Sequence, residues 1–167
     1  MKTVYVLGDS ISMHYGPYLQ QALAGVMGYA RKEGDEEANL NLDIPVGANG
    51  GDSRSVLAFV KAKVAAGGFA ADFLAVNCGL HDIKRNPTSG SYQIPLADYE
   101  ANLSELVKVV APLHEQLIWI TTTPCDENVH NQRSSTFHRY AADCQAYNAA
   151  ANRIMAAAGV PIIDLYT

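Results

Sequence analysis

Serine, histidine and aspartate stand beside glycine at three places in the chain: Gly8-Asp9-Ser10, Gly50-Gly51-Asp52-Ser53 and Gly79-Leu80-His81-Asp82. The chemistry these side chains can do together is nucleophilic acyl transfer. A serine hydroxyl attacks a carbonyl, N–H groups hold the developing oxyanion, and an imidazole moves or donates a proton. Glycine beside them lets the backbone approach closely. Each block also has a plainer use. Asp9-Ser10 suits a turn and helix cap, Ser53 suits an N-cap, and His81-Asp82 suits a satisfied polar pair. What distinguishes them is position, because each follows a predicted strand.

The elements that must position these blocks follow from the pattern of apolar residues. Strands are predicted at 3–7, 40–46, 73–77, 116–121 and 160–165. Helices are predicted from about Pro17 to Gly25–Gly28, from the Ser53 cap through Val64, over 96–110, and over the alanine-rich 136–158. Residues 31–39, 84–95 and 125–135 read as polar loops. Strand and helix alternate, which implies one α/β domain over 1–167 with a parallel sheet between two helical layers. The functional crevice of such a sheet lies at the carboxyl ends of its strands, where the three blocks fall.

Composition removes other classes. Hydrophobic residues make up 49% and charged residues 17%, so disorder is not the main state. Seventeen acids against twelve lysines and arginines give a net charge of -5 with no basic block, which argues against a nucleic-acid surface. No apolar run reaches the ~20 residues of a membrane span. Cys78, Cys125 and Cys144 lack CxxC spacing, so neither a disulfide scaffold nor a thiolate metal site is expected. No metal or other cofactor is called for. The N-terminus runs directly into a strand with no cleavable leader, which reads as cytoplasmic. A trimmed leader would leave the same sequence, so a secreted or periplasmic place stays open.

The stretches Val6-Leu7-Gly8-Asp9-Ser10-Ile11-Ser12, Asn49-Gly50-Gly51-Asp52-Ser53 and Asn77-Cys78-Gly79-Leu80-His81-Asp82 resemble the SGNH/GDSL hydrolases in order and spacing. The resemblance implies a flavodoxin-like, doubly wound five-stranded parallel sheet in the order 2-1-3-4-5, and ester hydrolysis. It makes Ser10 the nucleophile and gives two oxyanion donors, the N–H groups of Ser10 and Gly51. The family's third donor is an asparagine side chain, and here that position is His81. A neutral imidazole still donates one N–H. Gly-Leu-His-Asp-Ile-Lys looks like the form used by one branch of the family. Asp9 and Asp82 are expected to support the site by bonding loop amides, and Asp164 to match the family's structural aspartate.

The family's base is a histidine in an Asp-x-x-His block after the fifth strand, and no such block stands before Thr167. The expectation is a C-terminally shortened hydrolase whose final helix is missing. Apolar sheet surface would then be open, or covered by a second copy or a complementing chain. His130, in the loop after the fourth strand, is the alternative base, with His81 behind it. His14 turns away, His114 falls at the opposite edge of the sheet, and His138 opens a helix at the surface. Arg85 and Tyr92 in the 84–95 loop, and likewise Arg133 and Arg139, either touch substrate or face solvent.

Three functions compete. The first is a serine esterase for small acyl esters, with acetyl groups on carbohydrates preferred by family analogy. The second is a catalytically silent domain that binds ligand in the same crevice. The third is a phosphoacceptor or flavin-binding domain on the same sheet. The paired acids and late lysine of a receiver are absent, and Ser10-Ile11-Ser12-Met13 is a weak phosphate loop.

Overall fold

The computed structural model describes residues 1–167. Five strands form one parallel sheet: β1 (Thr3–Gly8), β2 (Gly28–Arg31), β3 (Phe73–Asn77), β4 (Gln116–Ile120) and β5 (Ile162–Ile163). Their order is β2-β1-β3-β4-β5, as the resemblance implied. Six helices connect them: α1 (Ser10–Leu23), α2 (Asp35–Leu40), α3 (Ser53–Ala65), α4 (Leu96–Val110), α5 (Glu127–Arg133) and α6 (Ala141–Ala157). No helix is long and apolar enough to cross a membrane.

Side chains alternate across each strand, so one register places two cores. Tyr5 pairs with Leu74 and Leu7 with Val76, while Leu74 pairs with Leu117 and Val76 with Trp119. These six face α3, α4 and α6 and build the larger core with Val56, Val60, Leu103, Leu106, Tyr147 and Met155. The alternate residues Val4, Val6, Ala75 and Ile120 face the other way and pack with Tyr15, Leu19 and Leu23 of α1. On this second face a groove of about 190 Å3 remains, lined by Val4, Leu19, Leu23, Met27, Phe73, Ala75, Ile118, Ile120 and Ile163.

Several elements differ from the sequence reading, each for a local reason. The first helix starts at Ser10, not near Pro17, because the Asp9 side chain accepts from Ile11 N and caps it; Pro17 lies inside. The second strand is Gly28–Arg31, a short sheet edge, rather than 40–46. In the latter segment Asn41 Oδ1 accepts from Asp43 N, and such local bonds compete with strand pairing. Residues 35–40, read as loop, form α2, whose first turn carries Asp35, Glu36 and Glu37, where the helix dipole favours acids. The N-cap of α3 is Asp52 instead of Ser53. Within the predicted loop 125–135, Asp126 caps α5.

The last helix begins at Ala141 rather than 136, because His138 pairs antiparallel with Arg85 through backbone bonds of 2.8 and 2.9 Å. That pairing also means His138 does not open a helix. The last strand shrinks to two residues, and Asp164 lies just beyond it, accepting from Thr121 Oγ1 at 2.9 Å and Tyr166 N at 2.8 Å.

Leu74 is fully buried between β1 and β4, so Leu74→Ala should cost about 2–5 kcal/mol in urea denaturation. Leu40→Ala, at an 86% exposed residue, should stay within about 0.5 kcal/mol of the parent protein.

Candidate active site

The site is built where β1 turns into α1. Residue 8 must be glycine, since a Cβ there would overlap the Asn77 side chain from β3. Asn77 uses that space to donate from Nδ2 to Asp9 Oδ1 at 2.9 Å, while its own Oδ1 accepts from Tyr15 Oη at 3.1 Å. Asp9 Oδ1 also accepts from Ile11 N at 2.9 Å. Asp9 is fully buried and its Oδ2 has no partner, and burial raises its pKa. Held this way, the turn presents Ser10 as the first residue of α1, half-buried, with no hydrogen bond to its Oγ. The Ser10 N–H, in the first helical turn, has no partner within the helix.

The second block is tied to the same strand end. Gly50 N donates to Gly8 O at 2.7 Å. Gly51 sits at φ 74°, where other residues strain, and a Cβ there would press on Pro45. Its N–H, expected to face an oxyanion, donates instead to Asn49 Oδ1 at 3.0 Å. Asp52 accepts from Ser55 N and from Gln93 Nε2, both at 2.9 Å.

The third block closes the arrangement. Asp82 accepts from Ser53 N through both oxygens, at 3.0 and 3.1 Å, so the loop after β3 is fastened to the head of α3. Burial raises Asp82 to about 8, outweighing those bonds. His81 is fully buried and neither ring nitrogen has a partner. Burial, with the nearby cations of Lys84 and Arg139, lowers its pKa to about 3, so the imidazole is neutral. A neutral ring carries one N–H and one lone pair.

The remaining candidates are spread out. His130 stacks on Phe137 with ring centroids 5.2 Å apart, its Nε2 is unpartnered, and burial lowers its pKa. It lines a cavity of about 410 Å3 with Asp43, Cys125, Asp126, Val129, Arg133 and Ser134; Ser10 does not line it. His14 is exposed. His114 lies beside Thr3 and Asp72 at the opposite end of the sheet. Arg85 and Tyr92 both bond Asp143, at 2.6–2.8 Å and 3.0 Å, so they anchor the 84–95 loop to α6. No group of three His, Cys, Asp or Glu residues is placed to hold a metal ion.

Two cations stand near the site, of which the sequence reading left Lys84 unassigned and gave Arg139 only as touching substrate or facing solvent. Lys84, nearly buried, donates to Asp43 O at 2.7 Å, and burial lowers its pKa to about 8. Arg139, read as touching substrate or facing solvent, is also buried and donates from Nε to Leu80 O at 2.7 Å. The one available signal was adjacency: Lys84 stands three residues after His81 in the same block.

Comparison with known proteins places these observations in a family. A model described as GDSL-like Lipase/Acylhydrolase family matches residues 6–167. Curated protein sequences give no match. Among solved structures, a lipase/acylhydrolase from Enterococcus faecalis aligns with TM-score 0.67 and 19% identity, covering 99% of this chain and 77% of that one. The acetyl xylan esterase AlAXEase aligns with TM-score 0.68 and 13% identity, covering 98% and 77%. The psychrotrophic esterase EstA from Pseudoalteromonas sp., in a structure inhibited by monoethylphosphonate, aligns with TM-score 0.59 and 14% identity, covering 98% and 77%. At these identities the likeness is one of fold.

Two outcomes follow from the geometry. Gly8→Ala forces Asn77 off Asp9 and should destabilise the protein by about 1–3 kcal/mol in urea denaturation. Asp82 holds a proton in the fold up to about pH 8, whereas an unfolded aspartate releases it near pH 3.9, on the order of the model-peptide value. Stability therefore falls as pH rises through that window. His81, lowered to about 3, acts in the opposite sense, and its contribution is complete by about pH 6.5. Between roughly pH 6.5 and 8, then, Asp82→Asn should lose less stability than the parent protein. Equal losses would remove Asp82 as the source.

Proposed function

The chain belongs to the GDSL-like lipase/acylhydrolase family, and from that premise we propose that it hydrolyses small acyl esters, acetyl esters of carbohydrates first among them, through Ser10. The observation that carries this reading is the strand-to-helix turn that presents an unbonded Ser10 Oγ beside a first-turn N–H. In the proposed reaction Ser10 Oγ attacks the ester carbonyl and the alcohol leaves with a proton. Water then attacks the acyl-serine and releases the acid. The oxyanion is held by the Ser10 N–H and by the N–H of neutral His81. The Gly51 N–H joins them by sharing or releasing its bond to Asn49 Oδ1. The preference for acetyl groups on carbohydrate rests on family analogy and on the fold shared with an acetyl xylan esterase.

His130 is the alternative base within this chain, with an unpartnered Nε2, though its cavity is one that Ser10 does not line. One observation favours a second reading, a site that binds ligand without turnover. No histidine hydrogen-bonds Ser10 Oγ, and an unassisted serine hydroxyl is a weak nucleophile.

Hydrolysis of p-nitrophenyl acetate separates the two readings. Ser10→Ala should fall to the background rate of surface side chains, and identical rates in both proteins would leave the silent reading. His81→Ala should lose about 10²–10³-fold in kcat, the usual loss for one oxyanion donor, while His81→Asn, which keeps a side-chain N–H, should lose much less. Because His81 stays neutral to about pH 3, protonation of this residue should add no acid limb to the rate profile above that pH. An organophosphonate ester, the class of inhibitor seen in the Pseudoalteromonas esterase structure, should label Ser10 and no other serine by peptide mass mapping.

A further inference from the structure

Two of the three cysteines stand together outside the machinery described above. Cys144, in the first turn of α6, donates from Sγ to Cys125 Sγ at 3.3 Å. Both are free thiols. Their surroundings differ. Cys144 is fully buried, whereas Cys125 is half-buried and lines the cavity of about 410 Å3 beside Asp126, His130 and Arg133. A small reagent entering that cavity meets Cys125 first. Cys125 lies in the irregular segment between β4 and α5, so its backbone is not held by a sheet ladder or a helix. Closing the sulfurs to the ~2.05 Å of a disulfide requires a movement of little over an ångström.

We propose that Cys125 and Cys144 form a redox-active dithiol, in which Cys125 reacts with a hydroperoxide and Cys144 resolves the product to a disulfide. In the first step the Cys125 thiolate attacks the O–O bond; an S–O bond forms, and the leaving oxygen departs as water or alcohol after taking a proton. In the second step Cys144 attacks the Cys125 sulfenic sulfur. The S–S bond forms, the S–O bond breaks, and hydroxide leaves with the Cys144 proton as water. Two thiols are oxidised and one peroxide is reduced.

The electrostatics assign the same order. The hydrogen bond from Cys144, with the Arg139 charge nearby, holds Cys125 below the ordinary thiol range, while the same bond and burial push Cys144 up. The thiolate is the nucleophile in this chemistry, so the accessible member is also the reactive one. Cys78, fully buried at the end of β3, has no sulfur beside it and serves as the internal control.

The test is native treatment with hydrogen peroxide, alkylation of the remaining thiols and peptide mapping. The expected result is a Cys125–Cys144 peptide pair, lighter by two hydrogens and split by dithiothreitol, with Cys78 alkylated. Titratable thiols should fall from three to one. In Cys144→Ser the oxidised Cys125 should instead be trapped by dimedone as a sulfenic acid. Oxidation of Cys125 to sulfinic acid with Cys144 still alkylated would overturn the proposal. So would a disulfide through Cys78 or between chains, or no loss of thiols. The map of the unmutated protein decides among these without any variant.

Discussion

Asn77 occupies the space where residue 8 would carry a side chain, and from there its amide bonds Asp9. This contact joins β1 to β3 beyond the last ladder bond and fixes the turn into α1. Without it Asp9 has no reason to point inward, since its burial raises the cost of its charge. Asp9 in turn caps α1, which sets Ser10 at the head of a 14-residue helix. Gly8 serves a second neighbour, because its carbonyl accepts from Gly50 N. One missing side chain thus places the ends of two segments that are some forty residues apart in sequence.

The charges around this turn are arranged so that few are left free. Asp82 is buried and held near neutral, Asp52 is stabilised by Gln93 and the α3 amides, and Lys84 and Arg139 spend donors on backbone carbonyls. The two cations that add to the lowering of His81 are anchored to the residue 43 and residue 80 carbonyls, while Arg139 Nη2 keeps no partner. Their effect on the site is electrostatic and indirect: burial does most to keep the imidazole uncharged, and the two cations add to it. An uncharged ring is the state in which one nitrogen donates while the other remains a lone pair.

The parts of this fold that the sequence discloses are those where apolar pattern and burial agree. β3 and α4 match their expected limits because 73–77 is buried apolar strand and 96–110 carries its apolar stripe into the core. β2 was not legible: Gly28–Arg31 has only Tyr29 and Ala30 to offer, and a short edge strand needs little more. The start of α6 was displaced by a contact with Arg85, more than fifty residues earlier. The site shows the same division. Ser10, Gly51 and His81 could be put forward as candidates because glycine beside a reactive side chain is a local signal. Lys84 and Arg139 act through carbonyls 41 and 59 residues away, which no spacing encodes.

The segment expected as the second strand shows why such long-range bonds matter to the chemistry. Residues 41–49 do not pair with the sheet; they lie across the third block as a strap. Asn49 Nδ2 holds Leu42 O at 3.0 Å, and Lys84 Nζ holds Asp43 O at 2.7 Å. The Leu42 backbone lies near enough to His81 to favour its charged form, yet neither ring nitrogen completes a hydrogen bond. His81 is thus fully buried and unsatisfied. A buried imidazole without partners carries a desolvation cost, and a ligand oxygen that reached its N–H would relieve it. The same Asn49 that pins the strap also accepts from Gly51 N. Asn49 therefore holds the strap, at Leu42 O, and the Gly51 amide through one side chain.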